Sequence, residues 1–173
     1  MVSLQGYISE STCIPIIRHV AAGILYLHSK SIVHCDLTLR NILLSSGGAK
    51  ISDFGFSVVK PNNFRVSLYG TQKYIAPELI ISVLQNHQFL EYENGVDIWS
   101  LGICMYYALS AVWPFNDCND LASFIKGKNS ISGRLFQNIS FNDSTKKFIR
   151  QLLEPNPVKR ITTSKLATHE FLK

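Results

Sequence analysis

The sequence is short of the features that mark secreted, membrane-spanning and nucleic-acid-binding chains. Its four cysteines, Cys13, Cys35, Cys104 and Cys118, show no Cys-x-x-Cys spacing and no framework pattern, so reduced thiols are expected. Met1 is not followed by a basic stretch and a long apolar run, and no secretory signal is expected. The apolar run from Leu101 to Val112 contains Ser110 and falls short of the roughly 20 residues that span a bilayer. A buried helix is the better reading. The formal net charge is +5, yet the closest basic pairs are Lys126 with Lys128 and Lys146 with Lys147. These read as solvated faces, so neither a nucleic-acid nor a membrane partner is expected. No repeat, low-complexity tract or Pro/Gly/Ser-rich linker divides the chain. An intracellular, cytoplasmic protein is the expectation.

What is present is the composition of a folded domain, 46% hydrophobic and 17% charged over 173 residues. That length favours one domain with a real core. Between residues 11 and 29, Ile14, Ile17, Ala21, Ile24 and Leu25 recur at helical spacing, and His28 continues the face. Pro15 is tolerable there as a first-turn residue. Ile32-Val33 reads as a short strand. Ile42-Leu43-Leu44, Ser45-Ser46-Gly47-Gly48 and Ala49-Lys50-Ile51 read as a hairpin with glycines in its turn. The hairpin would deliver Asp53 back beside Asn41. Residues 53–78 look irregular, and a loop of that length is usually functional or mobile. Helices are expected over about 96–111, 121–126, 144–153 and 163–168, with Pro155 and Pro157 breaking the chain before the last. The expected class is α+β, a mostly helical body with a small β-hairpin carrying the polar motifs.

Those motifs are His34-Cys35-Asp36-Leu37-Thr38-Leu39-Arg40-Asn41 and, across the hairpin, Asp53-Phe54-Gly55. Two carboxylates and a carboxamide on neighbouring loops form an oxygen-rich set. Such a set suits Mg²⁺, which binds one or two carboxylates plus substrate phosphates. A separate carboxylate can orient a substrate hydroxyl and take its proton. A lone Asp in a loop is usually a turn residue or a cap; the ordered pair of motifs is harder to dismiss. Three more blocks follow: Gly70-Thr71-Gln72-Lys73-Tyr74-Ile75-Ala76-Pro77-Glu78, Asp97-Ile98-Trp99-Ser100-Leu101-Gly102, and Arg160. In this order the five blocks resemble the protein kinase superfamily. The Gly-Thr-x-x-Tyr-x-Ala-Pro-Glu pattern resembles its serine/threonine-specific branch.

The resemblance implies a catalytic loop at 34–41 and an activation segment at 53–78. It implies Asp36 as catalytic base, Asn41 and Asp53 as Mg²⁺ ligands, and Leu43 as an apolar floor under the adenine of ATP. Thr71 is the clue to a protein serine/threonine substrate. His34, Phe54 and Asp97 would hold the catalytic loop. Glu78 and Arg160 would form a buried ion pair, and Trp113-Pro114-Phe115 would pack after the central helix.

The sequence also departs from the family pattern. No Gly-rich loop precedes Ser11, and neither a Val-Ala-x-Lys strand nor a helix with its partner Glu is present. Residues 1–173 are therefore expected to form a partial kinase domain, the C-lobe only, with the N-terminal β-rich lobe absent. Without the lysine and phosphate cradle, catalysis should slow by several orders of magnitude and ATP affinity should fall. Cys35 replaces an arginine that in many kinases meets a phosphate on the activation segment, so activity should not depend on phosphorylation of Ser67 or Tyr69. Thr38 replaces a lysine near the transferred phosphate. Arg40 would restore that positive charge from the other side; the alternative is a solvated arginine. Arg40 also replaces a frequent Glu, which argues against basic substrates. Residues 82–95 read as a surface insertion. The implied function is transfer of the ATP γ-phosphate to protein hydroxyls. The rival reading is a non-catalytic fragment that binds a partner through the apolar inter-lobe face around Leu43 and Phe54.

Overall fold

The computed structural model describes residues 6–61, 64–65, 71–85, 89–90, 93–125, 135–136 and 139–173. Helix α1 (Glu10–Ser29) starts where the Ser9 side chain accepts from the Thr12 N–H at 3.2 Å, with Glu10 in the favourable first turn. Its buried stripe is Cys13, Ile17, Val20, Ala21, Ile24 and Leu27. Leu25, expected on that stripe, is exposed; it lies one step off the line through 17, 20, 24 and 27. Because the helix begins at Glu10, Pro15 falls in the second turn rather than the first. It removes one backbone hydrogen bond there. Ser11, four residues back, is exposed, so water can take the freed carbonyl.

Among the described residues, six short strands pair into three two-stranded antiparallel ladders. Strand β1 (Ile32–Val33) pairs with β4 (Val58–Val59). Strands β2 (Ile42–Ser45) and β3 (Gly48–Ile51) form the expected hairpin, with Ile42 opposite Ile51 and Ser45 opposite Gly48. Gly48 has φ +104°, and a Cβ there would come within 2.5 Å of the His19 ring, so both backbone and space call for glycine. Strand β5 (Phe64–Arg65) pairs with β6 (Phe89–Leu90).

The centre of the molecule is α3 (Gly95–Ser110), buried nearly all round, as befits a helix with apolar residues on every face. Trp99 is fully buried and stacks on Phe115 at 5.7 Å. Helices α1 and α5 (Asp143–Leu152) pack on it, α6 (Thr163–Ala167) packs on α1, and α4 (Cys118–Ile125) packs on α2 (Pro77–Leu84). Gly102 lets α5 come close: a Cβ would sit 2.9 Å from Leu152 Cβ and 2.7 Å from Leu153 Cδ2. Among the described residues, no helix is long and apolar enough to cross a membrane.

Two segments hold more regular structure than expected. The 53–78 segment carries β4, β5, a 3-10 turn over Gln72–Tyr74 and the start of α2. Pro77 is the first residue of that helix, where its missing N–H costs nothing. The 82–95 segment is tied to the 53–78 segment rather than looping free. Its β6 pairs with β5, and Glu93 forms an ion pair with Lys60. Ser67, Tyr69 and Gly70 lie outside the described residues, as do residues 86–88 and 91–92 of the expected insertion.

Candidate active site

The loop after β1 is held from beneath by one carboxylate. Asp97, fully buried in the first turn of α3, accepts from the His34 N–H at 2.8 Å, the Cys35 N–H at 3.0 Å and His28 Nε2 at 2.9 Å. His28 in turn meets Thr163 Oγ1 through Nδ1 at 2.6 Å. A buried carboxylate needs this many partners to offset its desolvation. Cys35 adopts φ +66°, uncommon for a residue with a side chain, and the Asp97 contact helps fix it there. Burial, with the charge of Asp97 second, pushes the Cys35 thiol above its ordinary range. The neutral thiol donates to the Val33 carbonyl.

His34 is fully buried, and its two ring nitrogens have different partners. Nε2 lies 3.0 Å from the Ser52 carbonyl and Nδ1 accepts from the Asp36 N–H at 3.3 Å. These bonds assign the Nε2–H tautomer. The Phe54 ring meets the imidazole edge-on at 5.2 Å. His34 thus clamps the backbone of the 34–41 loop to the end of the hairpin.

The Asp36 carboxylate sits above this base, 9% exposed. Its Oδ1 accepts from the Thr71 N–H at 2.8 Å and from Thr71 Oγ1 at 2.9 Å. Asn41 Nδ2 donates to the Asp36 carbonyl at 2.8 Å and to Oδ2 at 3.3 Å. The Asn41 carbonyl accepts from both the Ser52 N–H, at 2.9 Å, and Ser52 Oγ, at 3.1 Å. The hairpin therefore returns the chain to Asn41 one residue before Asp53. Asp53 is exposed, has φ +62°, and accepts from the Gly55 N–H through Oδ1 at 3.2 Å.

These loops, in this order, also match known proteins. The protein kinase domain family aligns with residues 1–172. The chain belongs to the protein kinase family. It is 36% identical to a probable cell cycle serine/threonine-protein kinase, CDC5 homolog, of Encephalitozoon cuniculi, over 97% of this chain and 35% of that one. It is 33% identical to an Aurora kinase of Yarrowia lipolytica, over 97% of this chain and 43% of the relative. It is 34% identical to the serine/threonine-protein kinase dkf-2 of Caenorhabditis briggsae, over 99% of this chain and 14% of that one. This kinase chain thus spans less than half the length of these relatives.

The kinase structure brings Asp36, Asn41 and Thr71 into one hydrogen-bonded cluster and leaves Arg40, Leu43 and Asp53 at its exposed rim. Arg40, on a 3-10 turn, makes no hydrogen bond or ion pair among the described residues. Leu43 is 54% exposed on β2, and Leu44 and Phe54 are exposed as well. Thr38, expected near a transferred phosphate, is instead buried; its Oγ1 has no partner among the described residues. The short threonine side chain can be buried there, at 1% exposed. Reasoning from sequence did not single out Ser52, whose backbone carbonyl orients His34. Nor did it give His28 a partner, although His28 lies on the buried stripe of α1.

The expected Glu78–Arg160 pair is present and bidentate, at 2.7 and 2.8 Å. The other guanidinium N–H groups go to the carbonyls of Gly95, Glu154 and Pro155, and the group lies over the Trp99 ring at 5.2 Å. Trp113 stacks on Tyr107 at 4.2 Å and meets Tyr74 edge-on. Burial pushes the Tyr74 phenol up to about 12.

Proposed function

We propose that this chain is the C-terminal lobe of a cytoplasmic protein kinase domain that transfers the ATP γ-phosphate to serine or threonine hydroxyls of a protein substrate. The Asp36 carboxylate carries the proposal. Oδ1 is filled by two donors from Thr71, whereas Oδ2 receives one long bond from Asn41. A carboxylate oxygen offers about two acceptor sites, so Oδ2 keeps room for a substrate hydroxyl. Asp36 would then orient that hydroxyl and accept its proton at Oδ2. Thr71 would hold the carboxylate in place while forming part of the substrate platform.

The donor set fits Mg²⁺. Asn41 Oδ1 and Asp53 Oδ2 accept no hydrogen bond among the described residues. No three His, Cys, Asp or Glu side chains converge on one point there. Two protein oxygens leave the remaining positions to water and nucleotide phosphates, the usual arrangement for this hard cation. Asn41 and Asp53 would hold the ion, which when bound neutralises charge developing on the phosphates. Exposed Leu43 would lie against the adenine, and Arg40 would put a positive charge at the rim where Thr38 supplies none.

One observation favours a second reading. Leu43 and Phe54 are apolar side chains at least half exposed, a surface suited to a protein partner. Titration of the chain with Mg-ATP, beside an Asp53→Asn variant, separates the two. The kinase reading expects binding that the variant loses; no Asp53-dependent binding at millimolar ATP would sink the claim that this polypeptide turns over by itself.

A further inference from the structure

Basic residues that are scattered along the sequence converge on one groove. Lys147 and Arg150 reach it from α5, Lys159 from the turn before α6, and Lys165 from α6. Arg160 also lines it, but its guanidinium is spent on Glu78 and three carbonyls. Glu154 supplies the single carboxylate among the described lining residues, and its Oε1 is taken by the Asn156 N–H at 3.0 Å. Four cations against one acid, on a chain of net charge +5, make this groove a positive focus of the molecule.

The cations are available. Lys147, Lys159 and Lys165 are exposed and form no ion pair among the described residues. Arg150 is braced, its guanidinium 4.8 Å over the Phe136 ring, and its buried Nε has no partner among the described residues. At the groove's edge Val158 is 91% exposed, an apolar contact set among charges. Among the described residues no Phe, Tyr or Trp lines the groove, so it lacks the usual stacking platform of single-stranded nucleic acids. Nor is any described residue of the 34–41 loop or the 53–78 segment part of it.

We propose that this groove docks an acidic peptide segment of a partner protein, rich in glutamate or aspartate, with one aliphatic residue seated on Val158. Opposed charges would set the approach and orientation, and the aliphatic contact would fix the register. The site is independent of the proposed catalysis, so either could fail alone.

The test is fluorescence anisotropy of the whole 173-residue chain with a labelled Glu-Glu-Leu-Glu-Glu-Glu peptide. Saturable binding that weakens as salt is added is expected. The combined Lys147→Glu, Lys159→Glu and Lys165→Glu variant should weaken it about tenfold or more, and reversal of Lys30 and Lys50 by less than about twofold. If the triple reversal unfolds the chain, the corresponding triple alanine variant gives the same reading with a smaller loss. Replacing the peptide's leucine with serine should also weaken binding. Absence of saturable binding would overturn the proposal, as would equal losses in the groove and control variants. So would a uridine oligonucleotide of equal charge binding as tightly and by the same lysines, which would assign the groove to nucleic acid.

Discussion

Arg160 and Asp53 are both charged side chains in family motifs, and the molecule treats them in opposite ways. Arg160 is 3% exposed and all five of its N–H groups are bonded, two of them to Glu78. Asp53 is exposed and spends one oxygen on a local turn. Asp97 belongs with Arg160, since its carboxylate is filled from three directions. Asp36 stands between the two kinds, filled on Oδ1 and open on Oδ2. A charge whose bonding capacity is exhausted inside the protein can only hold the fold. A charge with capacity left over can meet something else. Motif membership alone does not separate them; the count of satisfied groups does.

The sharpest way to break the comparison is Arg160→Ala. It leaves the part-buried Glu78 carboxylate, near Gly95 at the start of α3, without its partner and frees three carbonyls. Removing one partner of a buried pair costs about 3–5 kcal/mol, and the shift in the urea midpoint at constant slope should show it. A loss under about 1 kcal/mol would mean that the pair is solvated and the division is wrong.

A smaller effect is expected from Gly102→Ala, which leaves every charge in place. The added methyl would meet Leu152 Cβ at 2.9 Å and Leu153 Cδ2 at 2.7 Å. Leu153 can turn aside, but Leu152 Cβ is fixed to its helix, so α5 must shift. Overpacking of this kind costs about 1–3 kcal/mol. Because α3 also carries Asp97, the same variant should loosen the 34–41 loop. Amide exchange of His34 and Cys35, whose N–H groups bond Asp97, should rise with the loss in stability; unchanged protection would uncouple helix seating from the loop.

Much of this was legible in the sequence because the signals are local. Helical periodicity found α1 and an unbroken apolar run found α3, each to within a residue or two, and glycines in the turn found the β2–β3 hairpin. The order of motifs found the cluster at Asp36. What escaped depends on tertiary pairing. The strands Val58–Val59 and Phe64–Arg65 are two residues long, too short for any alternation to register, and exist because a partner strand is there. Pro77 opens a helix instead of ending one, which needs knowledge of what precedes it. The burial of Thr38 follows from the Leu39–Asn41 turn rather than from its own chemistry. The basic groove is the clearest case. Lys147, Lys159 and Lys165 are separated by six or more residues, and only the packing of α5 on its neighbours makes them one patch.

The smallest stability change is expected at Asp53→Asn, and it bears most directly on the comparison. Asp53 holds φ +62°, a left-handed conformation that asparagine adopts as readily as aspartate. Asparagine keeps an Oδ1 to accept the Gly55 N–H, and the position is exposed, so no buried group is stranded. Folding stability should therefore stay within about 0.5 kcal/mol, measured by denaturant unfolding beside the parent chain. Asp53→Ala tightens the test: it loses the turn bond and puts a Cβ-only side chain in a strained backbone, at a cost of about 1 kcal/mol. If asparagine were as damaging as alanine, the negative charge itself would support the fold, and Asp53 would belong with Arg160. If asparagine is neutral for folding while Mg-ATP binding disappears, its free oxygen is reserved for a ligand.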